Sequence, residues 1–117
     1  MIIIKTPQEL ELMRDSNRLV AEALYELQRL VAEGITTEDL DQCAEEFIRR
    51  RGAVPAFKGY RGFPASLCVS INEEIVHGIP SHRKLHDGDI VSIDMGVLLN
   101  GFYGDAAITV AVGKTSP

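Results

Sequence analysis

The chain has no apolar run approaching the ~20 residues that span a bilayer, and its opening Met1-Ile2-Ile3-Ile4-Lys5 is far too short for the apolar region of a signal peptide. A soluble, cytoplasmic protein with no membrane partner is expected. Cysteine is scarce. Cys43 and Cys68 fall in segments of different type and lack metal-ligand spacing, so reduced thiols are expected rather than a disulfide. Basic residues are outnumbered 12 to 17 by acidic ones, the net charge is −5, and Arg49-Arg50-Arg51 is the one basic run. That balance argues against a nucleic-acid partner, and the run suits a helix end facing the negative pole of its dipole. Internal repeats and low-complexity segments are also missing. What is present is an ordinary globular composition, 45% hydrophobic and 25% charged, over 117 residues. This length suits a single domain, 1–117, that buries about two-thirds of the surface its unfolded form exposes.

Thr6-Pro7-Gln8-Glu9 reads as a capping box, with Thr6 as N-cap, Pro7 at the first helical position and Glu9 reaching back. Leu10, Met13, Asn17, Val20, Leu24, Leu27 and Val31 then recur at helical spacing, and Gly34 supplies a stop. Asn17 is the polar exception on this core stripe and is expected to be satisfied by hydrogen bonds. Thr36 or Thr37 caps a second helix with Leu40, Cys43, Ala44, Phe47 and Ile48 on one face, ending at Gly52.

From Ala53 to Pro64 the character changes: Pro55, Gly59, Gly62 and Pro64 punctuate a segment carrying Phe57, Tyr60 and Phe63 without a helical stripe. These aromatics either pack down on the helices or form the wall of a pocket. Ser66 to Ile71 alternates as a half-buried strand, with Leu67, Val69 and Ile71 on one face and Ser66, Cys68 and Ser70 on the other. After an irregular connection, two alternating runs flank Asn100-Gly101, the strongest short-range hairpin signal. A two-residue loop makes facing positions sum to 201, so Asp94 faces Ala107 and Asp105 faces Gly96. The two aspartates then share a face as diagonal neighbours, roughly 7 to 8 Å apart with Cβ atoms somewhat closer. Gly96, lacking a side chain, is expected to leave space there for an ion and its water. Such carboxylates either grip one or two metal ions or simply point into solvent from a two-faced sheet.

Taken together, Glu73-Glu74-Ile75-Val76-His77-Gly78-Ile79-Pro80, Gly88-Asp89-Ile90-Val91-Ser92-Ile93-Asp94 and Gly101-Phe102-Tyr103-Gly104-Asp105 resemble the type I methionine aminopeptidases. So does the approach from Gly59 to Cys68, and the resemblance runs from the first helix to Gly113. It implies an α/β (α+β) chain forming the N-terminal half of a pita-bread fold: two helices packed on a mainly antiparallel sheet that ends in a β-hairpin. It also implies removal of the initiator methionine from nascent polypeptide N-termini by water activated between two divalent ions such as Mn²⁺, Fe²⁺, Co²⁺ or Zn²⁺. By the same resemblance Asp94 ligates one metal, Asp105 bridges both, and His77 hydrogen-bonds substrate beside the scissile bond. Phe57, Tyr60, Phe63 and Cys68 line the methionine pocket, Phe57 standing where some members have cysteine.

The family's site is completed by a histidine and two glutamates from a C-terminal half, and no residue of these 117 matches those positions. His82 and His86 are expected to be exposed loop residues. On its own the chain is therefore expected to hold metal weakly or partially and to be inactive, needing the C-terminal half or associating with itself through its uncovered surface. The alternative is a non-catalytic, pita-bread-derived binding or self-associating module. Retention of both aspartates, His77 and the pocket residues argues against it.

Overall fold

A computed structural model describes residues 6–72 and 78–113. Helix α1 spans Pro7–Leu30 and begins as its capping box dictates: the Glu9 amide donates to Thr6 Oγ1 at 3.1 Å, and the Thr6 amide donates to Glu9 Oε1 at 2.9 Å. Its buried residues are Ser16, Leu19, Val20, Ala23, Leu24 and Leu27. Asn17 is exposed and Leu10 is 44% exposed, so the polar residue on the core face is Ser16, one position earlier than expected. The reason is a backbone approach. The strand Phe102–Ala111 passes so close to α1 at Gly104 that a Cβ there would lie 2.7 Å from the Ser16 carbonyl carbon. The helix also stops at Leu30 rather than Gly34, because Val31 turns extended while its amide still donates to the Leu27 carbonyl. Gly34, at φ 93°, instead serves the following turn and donates its amide to the Leu85 carbonyl at 2.9 Å.

Helix α2, Thr37–Arg49, carries a second reciprocal box between Thr36 and Asp39, and it buries Thr37, Leu40, Ala44 and Ile48. Cys43 and Phe47 lie at the edge of that face, partly buried. The helix ends at Arg49, and Gly52, at φ 82°, belongs to the turn beyond it. The basic run is largely paired: Arg49 with Glu45, Arg50 with Glu46, and Arg51 with Glu22 of α1.

Among the described residues four strands form one antiparallel sheet: β1 (Val54–Pro55), β2 (Leu67–Ile71), β3 (Ile90–Leu99) and β4 (Phe102–Ala111). Strand β3 is central. It pairs with β4 along one edge, while β1 and β2 follow one another along the other. Both helices lie on the same side, α1 across β3 and β4, α2 against β1 and β2. The core fills the space between: Leu27, Leu40 and Ile48 of the helices meet Leu67, Val91, Ile93, Met95 and Val97 of the sheet. Each such side chain contributes about 1.5 to 3 kcal/mol relative to exposure. Among the described residues no helix covers the opposite face, where Ser92, Asp94, Asp105, Ala107 and Thr109 are exposed. Cys43 and Cys68 are free thiols. No described helix is long and apolar enough to cross a membrane.

Candidate functional site

The hairpin turn carries positive φ at both loop residues, 52° at Asn100 and 83° at Gly101, as a type I′ turn requires. Its twist matches that of the strands, so the register runs without interruption from Leu99↔Phe102 to Ile90↔Ala111. Asp94 faces Ala107 and Gly96 faces Asp105. The aspartates are thus diagonal neighbours on the uncovered face, and they feel one another. Partial burial, and then the negative charge of Asp105, push the Asp94 carboxyl above its ordinary range. The negative charge of Asp105 thus raises the cost of ionising Asp94, a cost that a cation bound beside the pair would offset.

On the other edge of β3 the register places Cys68 opposite Asp94 and Ser70 opposite Ser92. Ser66, expected on this small polar face, is instead fully buried before β2 begins, its hydroxyl turned to Glu45 of α2. The space expected at Gly96 is also put to another use. A Cβ at Gly96 would meet Phe57 Cε1 at 2.8 Å and the Ala56 methyl at 3.2 Å, so the missing side chain admits an aromatic ring rather than an ion and its water.

That ring belongs to a pocket of about 410 Å³ enclosed mainly by Phe57, Tyr60, Phe63, Pro64, Cys68 and Ile79. Phe57 and Phe63 meet edge to face, their centroids 6.5 Å apart and planes at 88°. Phe57 and Phe63 are half-buried and Tyr60 is 65% exposed at the rim. Cys68 joins the two parts of the site, since it lines the pocket and also lies across the strand pair from Asp94. His77 lies outside the described residues. Its neighbour Gly78 is tied to β2, the Val69 amide donating to the Gly78 carbonyl at 2.6 Å, and any Cβ on Gly78 would collide with the Val69 backbone. His82 and His86 are exposed, and His82 Nδ1 lies 3.2 Å from Glu38 Oε2.

Two acids of α2 escaped sequence reasoning. Asp41 and Glu45 flank the buried stripe one turn apart and take hold of the segment between β1 and β2. Their spacing beside Leu40, Ala44 and Ile48 was the available signal, but an i, i+4 acid pair on a helix flank is common on solvated surfaces. Here Lys58, Ser66 and Arg49 converge on Glu45 and hold its carboxyl down at about 2, Lys58 contributing most.

For a divalent cation, Asp94 and Asp105 offer hard oxygen donors on one face, and they fit a metal as part of a ligand set. Among the described residues no group of three or more His, Cys, Asp or Glu side chains gathers as a metal site.

Residues 11–117 match the profile of metallopeptidase family M24, and the chain belongs to that family. Membership implies a divalent metal cofactor. The chain is 56% identical over 117 residues to a methionine aminopeptidase of Clostridium acetobutylicum, and 57% identical over 116 residues to methionine aminopeptidase 1 of Bacillus subtilis. Each alignment takes in 99% of this chain and 47% of the relative, so the chain spans about half the length of these curated relatives. The fold matches the crystal structure of a Rickettsia prowazekii methionine aminopeptidase with a TM-score of 0.94 at 40% identity, over 99% of this chain and 47% of that one. A Pyrococcus furiosus prolidase is more distant, with a TM-score of 0.82 at 25% identity, over 98% of this chain and 33% of that one. Two helices on an antiparallel sheet, shared with these enzymes, agree with the pita-bread architecture that the sequence motifs implied.

Proposed function

We propose that these residues form the N-terminal half of a cytoplasmic methionine aminopeptidase, which removes the initiator methionine from nascent polypeptides. The observation that carries this reading is the juxtaposition on one sheet face: Asp94 and Asp105 as diagonal neighbours, with Cys68 of an aromatic pocket directly across from Asp94. Relatives 56% and 57% identical to this chain are named methionine aminopeptidases, which supports the reading.

In this reading Asp94 would ligate one divalent ion and Asp105 would be shared between two, of the Mn²⁺, Fe²⁺, Co²⁺ or Zn²⁺ type that accept carboxylate oxygen. When bound, such ions supply an activated water and polarise the peptide carbonyl. The chain's own residues select and position the substrate. Phe57, Tyr60, Phe63, Cys68 and Ile79 enclose a long, unbranched apolar side chain, and a charged first residue would lose its hydration there without compensation. His77 is assigned a hydrogen bond to the substrate beside the scissile amide. The histidine and two glutamates of the C-terminal half complete the ligand set.

The test is hydrolysis of a Met-Gly-Met peptide with Mn²⁺ or Co²⁺, by the chain alone and after addition of the C-terminal half of the Bacillus subtilis relative. Activity is expected only in the mixture and is expected to vanish with Asp94→Ala or Asp105→Ala. Robust turnover by the chain alone would contradict the half-site. Absence of metal-dependent stabilisation in any assembly would favour a non-catalytic binding module.

A further inference from the structure

The segment that carries the pocket aromatics is closed on itself. The Gly59 amide donates to the Phe63 carbonyl at 2.7 Å, the Tyr60 amide to Phe57 at 3.0 Å and the Phe63 amide to Tyr60 at 2.9 Å. Gly59, Arg61 and Gly62 all adopt positive φ, at 85°, 50° and 80°. These bonds shape the loop. Its start is held on the sheet by the Ala56 amide, which donates to the Gly96 carbonyl at 3.0 Å, and its two ends are drawn together from α2. Glu45 Oε1 accepts from Lys58 Nζ at 2.8 Å and from Ser66 Oγ at 2.8 Å, while Oε2 accepts from Arg49 Nε at 2.9 Å. One turn earlier, Asp41 Oδ1 accepts the amides of Ser66 and Leu67, both at 2.8 Å.

A single carboxylate oxygen therefore ties the residue next to Phe57 to a fully buried serine just before β2. It closes the loop across its neck. Asp41 holds only the β2 side of that neck, which also hydrogen-bonds in the sheet. Among the described residues Glu45 alone reaches the Phe57 side through a side-chain hydrogen bond, and three donors converge on its carboxylate, so its bonds are charge-assisted and among the stronger kind.

We propose that Glu45 is a positioning residue for the pocket: by bridging Lys58 and Ser66 it holds Phe57, Tyr60 and Phe63 over Gly96 and Cys68, and it sets affinity for the substrate's first side chain without touching substrate. This rests on the assignment of the pocket to methionine. A misplacement of about 1 Å in a positioning element can cost a hundredfold in effect.

The 117-residue chain is titrated with L-methionine and followed by amide NMR, and it is digested with limiting trypsin, which cuts after Lys58 and Arg61. Glu45→Ala is expected to keep its circular dichroism, to weaken L-methionine binding about tenfold and to accelerate cleavage after Lys58 and Arg61 about tenfold. Glu45→Gln, which retains an oxygen for Lys58 and Ser66, is expected to recover most of both. If Glu45→Ala fails to fold, Ser66→Ala carries the same test by removing one arm of the bridge. Unchanged cleavage and binding in a folded variant would overturn the proposal. Faster cleavage in a protein whose wild type never binds L-methionine would overturn the substrate role of the pocket, and with it this role for Glu45, while leaving the loop tether in place.

Discussion

The ring of Phe57 rests on Gly96, its Cε1 only 2.8 Å from where a Cβ on that glycine would stand. Gly96 pairs with Asp105 across the hairpin, so the ring of the apolar pocket and the Asp105 carboxylate meet at one strand pair. Gly96→Ala must displace the ring. A loss of about 1 to 3 kcal/mol, the usual cost of overpacking, is expected in urea unfolding, along with a shifted Phe57 side-chain resonance. Unaltered stability and spectrum would show that the ring does not occupy that space.

The Asp94–Asp105 pair makes a prediction whose sign depends on metal. The raised Asp94 carboxyl means that the folded chain binds this proton more tightly than the unfolded one. Its contribution to stability is full below the ordinary aspartate range and is lost as pH rises through the raised value. Asp105→Asn removes the repelling charge and should stabilise the metal-free protein at pH 7 by about 0.2 to 1 kcal/mol, the scale of a cross-strand charge pair. The same variant should lose whatever thermal stabilisation Mn²⁺ confers. A lower melting temperature for metal-free Asp105→Asn would contradict the repulsion.

Glu45 has the opposite sign. Its carboxyl titrates near 2 in the folded chain against about 4.5 ordinarily, so its contribution is present above pH 4.5 and disappears as pH falls towards 2. Glu45→Gln should therefore flatten the acid limb of stability between those values. Urea unfolding at intervals from pH 2 to 6 measures this, and identical acid limbs for variant and wild type would refute it.

Ser16 fastens α1 to the hairpin, with its buried hydroxyl oxygen 2.9 Å from the Phe102 carbonyl and 3.3 Å from that of Leu99. Ser16→Val removes the hydroxyl that links α1 to these carbonyls and should cost about 1 to 3 kcal/mol. Asn17→Ala, one residue on but exposed, should change stability by no more than about 0.5 kcal/mol. Equal effects in chemical denaturation would mean that α1 presents a different face.

Among the described residues β4 hydrogen-bonds only to β3, and the uncovered face beside it carries Tyr103, which is 68% exposed. A ten-residue edge of this kind is a template for another strand. Sedimentation velocity should show association that grows with concentration and that Thr109→Pro on the edge strand weakens. A monomer throughout the accessible concentration range would contradict it.

Much of this was legible in the sequence, for reasons of range. Capping at Thr6 and Thr36, the I′ turn at Asn100-Gly101 and the shared face of Asp94 and Asp105 depend on residues a few positions apart and on the two-residue period of a strand. The family motifs were legible for the same reason, being contiguous. What only the tertiary structure decided were the close approaches between distant segments. Gly104 against α1 turned Ser16 inward in place of Asn17, and Phe57 took the space over Gly96. Asp41 and Glu45 reached across to Ser66 and Lys58 and buried a serine that strand alternation alone would have left facing outward. Periodicity determines which residues share a face, whereas packing between elements determines what that face meets.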